Sequence, residues 1–128
     1  MANILVIEDD LEARDAATIW LELEGHTVTV ANDGREGLAR AFSEIPDLII
    51  TDLVMPRLDG VETIKLIRAI PTMPSTLPII AMTGFQMALA EEAIMAGANR
   101  IISKPYDPDI LLANIKSLLK ARSASAGS

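Results

Sequence analysis

Five short strand-like runs, Asn3–Ile7, Thr27–Val30, Leu48–Thr51, Pro78–Met82 and Arg100–Ser103, recur at intervals of about 20–30 residues, each followed by a segment of helical character. This alternation limits the fold more than any other feature of the chain. Strands that far apart cannot close into hairpins, so they pair as parallel neighbours through helical crossovers, which are right-handed. The runs are apolar almost throughout, as befits strands covered on both faces. The expectation is an α/β fold, a doubly wound parallel sheet of five strands.

The helices are expected over Leu11–Glu24, Arg35–Ser43, Gly60–Ile70, Gln86–Ala96, and from Pro108 to about Ala121. Gly25 and Gly97 close the first and fourth, as C-terminal caps do. Asn32-Asp33-Gly34 can cap the second, and Asp107-Pro108 opens the last with an Asp cap and Pro in the first turn. Ala13, Ala16, Ala17, Trp20 and Leu23 mark the first helix's inner side; Val61 and Ile64, with Ile67 or Leu66, mark the third's. The last helix carries Ile110, Leu111, Ile115, Leu118 and Leu119, widened by Leu112. One face of it packs on the sheet; the surplus, with the fourth helix and the last strand, offers a partner surface. A chain of 128 residues fits one domain over residues 1–121, with 122–128 a flexible tail or linker stub.

In a parallel sheet all strands end on one edge, which is where such folds build their sites. Glu8, Asp9 and Asp10 follow the first strand, Asp52 the third, Thr83 the fourth and Lys104 the fifth. Carboxylates about 4 Å apart repel by roughly 4 kcal/mol at an effective dielectric of about 20, so a cluster of them either takes up protons or binds a cation. Oxygen-only ligands select a hard ion. Magnesium fits, because it takes one or two carboxylates, keeps waters and leaves room for a phosphate oxygen. Asp52 would then be a nucleophile toward phosphorus, with Lys104 taking up charge and the Thr83 hydroxyl donating to a phosphoryl oxygen. Asp10 and Asp59 read first as helix caps, His26 as a surface residue in a turn, Trp20 as core or partly buried, and the six methionines mostly as core filler.

Composition removes other classes. The absence of cysteine excludes disulfides, thiolate catalysis and Cys-based zinc sites. A net charge of −7 with no Lys/Arg cluster argues against direct nucleic-acid binding. No apolar stretch reaches the ~20 residues that span a bilayer. Nor does the N-terminus pair a basic region with an apolar core, so no signal peptide is expected, and the expected location is cytoplasmic.

Ile4-Leu5-Val6-Ile7-Glu8-Asp9-Asp10, Asp52-Leu53-Val54-Met55-Pro56 with Asp59-Gly60, Met82-Thr83-Gly84 and Lys104-Pro105-Tyr106, each following a strand, together resemble the receiver domain of two-component response regulators. The resemblance covers almost everything from Ile4 to Leu119. It implies the flavodoxin-like (βα)5 sheet of order 2-1-3-4-5, and a phosphoprotein that takes a phosphoryl group on Asp52 from a histidine kinase or a phosphotransfer protein. It implies Mg²⁺ held by Asp9, Asp52 and the Val54 backbone carbonyl, with Glu8 acting through a water. It places Thr83 and Lys104 on the phosphoryl group and makes the Lys104–Pro105 bond cis. Output to an unknown partner would pass by protein contact, homodimers could form through the last helix and last strand, and no enzymatic turnover is implied beyond self-phosphorylation and slow self-dephosphorylation.

Several positions depart from the family pattern. Receivers often carry Tyr or Phe three residues before the lysine, where this chain has Ile101, so an inward-turning aromatic is not expected to relay the signal. Val54 and Phe85 flank the phosphoryl position with apolar groups that cannot orient water, which implies slow self-dephosphorylation. Gly84 leaves the site mouth open. Two rival readings are weaker. Aspartate-nucleophile phosphohydrolases resemble one another in an Asp-x-Asp motif, and here Val54 stands two residues after Asp52. A degenerate receiver, acting as a constitutive interaction module, would not need the full set of Glu8, Asp9, Asp52, Thr83 and Lys104.

Overall fold

The computed structural model describes residues 2–55, 58–84 and 87–126, the last three by backbone alone. Strands β1 (Asn3–Ile7), β2 (Thr27–Ala31), β3 (Leu48–Asp52), β4 (Ile79–Thr83) and β5 (Arg100–Ser103) form one sheet in the order β2-β1-β3-β4-β5, every pairing parallel. Between and after them run α1 (Leu11–Leu23), α2 (Gly34–Ser43), α3 (Gly60–Arg68), α4 (Met87–Ala96) and α5 (Pro108–Ala126). The expected sheet, its order and its five helices are all present.

Side chains alternate across a strand, and the two cores follow that alternation. Ile4, Val6, Leu48, Ile50, Ile80, Met82 and Ile102 face α1 and α5, where Ala17, Leu21, Leu111, Ile115 and Leu118 cover them. Leu5, Ile7, Ile49, Ile79 and Ala81 face the other way, under Ala41 of α2, Val61, Ile64 and Ile67 of α3, and Ala93 of α4. Three helices begin on Asp caps as read: Asp10 accepts from Ala13 N–H, Asp33 from Glu36 N–H and Asp59 from Glu62 N–H, each at 2.9 Å. No helix among the described residues is long and apolar enough to cross a membrane.

The structure corrects two readings. The buried positions of α1 are Ala17 and Leu21, while Leu23 is 73% exposed and Trp20 also lies at the surface. Leu23 falls two residues, about 200° of helix, beyond Leu21 and so points outward. The last helix continues through Ala126 rather than ending near Ala121, because Ser123-Ala124-Ser125-Ala126 contains neither Gly nor Pro to break it. Arg122 of this added stretch donates to the Asp47 carbonyl at 2.8 Å. Of the stretch read as tail, 127 and 128 lie outside the described residues, as do Pro56, Phe85 and Gln86 among the residues named above.

Candidate functional site

The sheet register assembles the site. Ile7 of β1 is level with Thr51 of β3, so Glu8 comes out beside Asp52. Asp52 is level with Met82, which puts Thr83 one step further on; Thr83 is level with Ser103, so Lys104 follows immediately on the next strand. Backbone bonds past the strand ends keep the loops together: Glu8 N–H to Ala31 carbonyl (3.0 Å), Leu53 N–H to Met82 carbonyl (3.0 Å) and Lys104 N–H to Thr83 carbonyl (2.7 Å). Gly60 closes the loop after β3. Its N–H reaches the Leu53 carbonyl at 3.1 Å, and a Cβ there would sit 2.2 Å from the Asp52 carbonyl oxygen, so only glycine lets α3 start this close to Asp52.

One carboxylate oxygen from each of Glu8, Asp9 and Asp52 lies within 4.8 Å of the other two. Glu8 is buried, Asp52 half-buried and Asp9 exposed, so the cluster grades from core to solvent. Lys104 Nζ donates to Glu8 Oε1 at 2.6 Å and to Asp52 Oδ2 at 2.8 Å. The other Asp52 oxygen accepts from Val54 N–H at 3.2 Å, and Glu8 Oε2 from Asp10 N–H at 3.3 Å. Asp10 itself is spent as the α1 cap. Thr83 Oγ1 is buried and has no hydrogen-bond partner among the described residues, an expensive state for a hydroxyl. The Lys104–Pro105 peptide is cis.

Burial pushes the Glu8 carboxyl up to about 7, and the Asp52 charge adds to this against the pull of Lys104. Burial works against the charge of Lys104, yet the carboxylates of Asp52 and Glu8 more than offset it and raise its pKa. The ammonium is thus a fixed counter-ion lying between two acids. Three clustered carboxylates, one lysine to balance them and an unpartnered buried hydroxyl make a donor set suited to a hard divalent cation and an anion bound beside it.

A cleft of about 660 Å³ opens outward from Glu8, Asp9, Asp52 and Lys104, walled by Ala13, Ala16 and Trp20 of α1 and by Pro105, Tyr106 and Pro108. Ala13, Ala16 and Trp20 have the helical spacing that the sequence assigns to the core; the structure turns that stripe toward the cleft. Arg14 is a residue that sequence reasoning missed. Its guanidinium donates to the Glu8 carbonyl at 3.4 Å and to Asn32 Oδ1, tying the acidic loop to the loop after β2. Only the order of the strands could have shown that link, since Arg14 and Asn32 are far apart in sequence. Ile101 is half-buried against the core that includes α4, and Val54 is 53% exposed.

A family model described as the response regulator receiver domain matches residues 4–116. The chain belongs to that family. Among relatives of this receiver domain, a 14.6 kDa protein of Leptolyngbya boryana is 39% identical over 107 residues, covering 83% of this chain and 81% of the relative. Response regulator MprA of Mycolicibacterium vanbaalenii is 34% identical over 126 residues, 98% of this chain but 53% of that protein. The chain spans about half the length of MprA and of several other regulators it matches. A receiver domain protein from Clostridium thermocellum superposes with a TM-score of 0.90 at 28% identity, over 97% of this chain and 98% of that one. The chemotaxis protein CheY4 of Vibrio cholerae gives 0.85 at 31% identity, over 92% and 98%.

Proposed function

We propose that this receiver domain accepts a phosphoryl group on Asp52 from a histidine kinase or a histidine phosphotransfer protein, and signals by protein contact from the cytoplasm. The observation that carries this is the Lys104 ammonium bridging Glu8 and Asp52 beside the unpartnered Thr83 hydroxyl. Asp52 is the acceptor because its carboxylate ends β3 at the mouth of the cleft and is still open to solvent on one side. Its Oδ attacks phosphorus, the phosphorus–nitrogen bond of the donor's phosphohistidine breaks, and the imidazole leaves with the electron pair and takes a proton. The residues that would hold Mg²⁺ are Asp9 and Asp52 directly, Glu8 through a water, and the Val54 backbone carbonyl. When bound, the ion would supply charge neutralisation for the transferring phosphoryl group. Lys104 can follow the new negative charge from Asp52 to the phosphoryl group, and the Thr83 hydroxyl donates to another phosphoryl oxygen.

The domain turns over no external substrate in this reading, and its aspartyl-phosphate is long-lived. The exposed Val54 side chain carries no group that can aim a water at phosphorus. Association of two copies through α5 and β5 is part of the same reading. Its test is an incubation with Mg²⁺ and a small acyl-phosphate donor, followed by intact mass. A single-phosphate adduct on the wild-type chain that is lost in Asp52→Asn supports phosphoacceptance, and repeated turnover of a phosphomonoester would replace it with an enzyme. A phosphoryl half-life of seconds without added phosphatase would contradict the role given to Val54.

A further inference from the structure

Helices α2 and α3 lie side by side, and their packing leaves little freedom. A Cβ on Gly34 would collide with Thr63 Oγ1 and the Leu58 carbonyl oxygen, and one on Gly37 with the Ile7 side chain. The start of α2 therefore sits directly on the loop that opens α3 and on β1, and the two helices present one outer surface. An apolar trough of about 480 Å³ runs along it, lined by Leu38, Ala39 and Phe42 of α2 on one side and by Leu66, Ala69 and Ile70 on the other. Leu38 and Ile70 are half-buried against the core. Phe42, one of two phenylalanines in the chain, is 67% exposed. A large aromatic ring left in water beside an apolar trough marks a contact surface.

Arg35, Leu38, Ala39 and Phe42 recur at i, i+3, i+4 and i+7, so they form one stripe down α2. The stripe is self-complementary. It has a cation at one end, an aromatic ring at the other and a small residue near the middle, where a second helix can come close. Arg35 stands in the first turn of α2, where the helix dipole disfavours a cation, and it has no ion pair or hydrogen bond among the described residues. Against an antiparallel copy of α2, each Arg35 lies beside the last turn of the other helix, whose carbonyl end attracts a cation, and over the ring of the other Phe42. Two-fold symmetry makes this contact twice. On a chain of net charge −7, Arg35 is the one charged residue that lines the trough, so two copies can meet here without opposing carboxylates.

We propose that two copies of this chain associate through α2, antiparallel about a two-fold axis near Ala39, with Phe42 of each copy set into the trough of the other. The face is about 15 Å long and two helices, or about 20 Å, wide, which is at the small end of specific interfaces, so the association is weak and shows at high concentration. Helices α2 and α3 cover the opposite face of the sheet from α5. The contact is therefore separate from association through α5 and β5, and it does not depend on Asp52 accepting a phosphoryl group.

Sedimentation velocity on the full chain, from about 10 to about 800 µM, should show a dimer fraction that rises with concentration. Phe42→Ser weakens the dimer by at least about tenfold, as loss of an aromatic anchor does. Arg35→Glu places an acid where the dipole of its own helix favours one, so it weakens the dimer by a similar factor while the Tm of the dilute chain holds or rises. Because the chain has no cysteine, Ala39→Cys supplies a single thiol at the axis, and mild oxidation at high concentration links it into a disulfide-bonded dimer. Ser117→Cys, on the exposed side of α5, reports the other association. A wild-type chain that stays monomeric across the whole range overturns the proposal. So does a dimer of unchanged affinity in Phe42→Ser, or one that oxidation links in the Ser117→Cys chain and not in the Ala39→Cys chain.

Discussion

Replacing Glu8 by glutamine should make the metal-free protein more stable while weakening its hold on a cation. The folded chain keeps a proton on Glu8 up to about pH 7, whereas the unfolded chain releases it near 4.5. The stability this group contributes is therefore complete below pH 4.5 and is lost as pH climbs to about 7. A carboxyl that titrates so far above its ordinary value gives up about 3 kcal/mol on ionising in the fold. The cleft beside it admits water, which screens part of this, so about 2 kcal/mol is the working figure. Glutamine can keep its carbonyl on Lys104 Nζ, but its amide then faces Asp10 N–H and the 3.3 Å bond is lost, at a cost of about 0.5–1 kcal/mol. The net expectation for Glu8→Gln is a gain of about 1–1.5 kcal/mol at pH 8 in EDTA, or roughly 4–6 °C in Tm. At pH 5, where Glu8 is already protonated, the gain disappears. Millimolar Mg²⁺ should raise the wild-type Tm more than the variant's, since ligand binding stabilises in proportion to affinity. Thermal unfolding followed by circular dichroism at both pH values, with and without Mg²⁺, reads all of this. A variant no more stable than wild type at pH 8, or one equally shifted at pH 5 and pH 8, would refute the reasoning.

Other expectations follow from single contacts. Lys104→Met leaves Glu8 and Asp52 facing each other without their cation and should cost about 2 kcal/mol at pH 8 without metal; adding Mg²⁺ or lowering the pH to 6 should recover most of it, as calorimetry would show. Gly60→Ala drives a methyl into the Asp52 carbonyl and Leu53 Cα, both backbone, so a loss of about 3 kcal/mol in urea unfolding is expected, together with a fall in Asp52 phosphorylation. His26 accepts from Ala2 N–H through Nδ1 at 3.2 Å, and burial holds its pKa below the ordinary value. Its contribution is thus present above pH 6.5 and lost as pH falls below it, and His26→Gln should flatten the wild-type stability slope on the acid side of pH 6.5.

How much of this was legible in the sequence depends on the range of the interaction. The strands and helices were, because period-2 and period-3.6 patterns are local, and so were the caps at Asp10 and Asp59, where the side chain bonds three residues on. Which side of α1 lies inward was not. Ala16, Ala17, Trp20 and Leu21 are all apolar, and only the angle at which α1 lies on β1 and β2 decides that Leu21 is buried while Trp20 borders the cleft. Periodicity is equally silent on strand order. That β1 lies between β2 and β3 came from the family likeness, and the Lys104–Glu8 bond, 96 residues apart in sequence, depends on it.

The site itself is a consequence of register rather than of any loop. Glu8, Asp52, Thr83 and Lys104 each stand at the same edge because Ile7 pairs with Thr51, Asp52 with Met82 and Thr83 with Ser103. A slip of one residue in β3 would turn Ile49 and Ile50 to the wrong cores and carry Asp52 away from Glu8 at the same time. The apolar alternation that fixes the two cores therefore also fixes the distance between the acids. The same packing that buries Glu8 raises its proton affinity, so the fold bears a local instability at the one place where a bound cation, or a phosphoryl group with its cation, would relieve it.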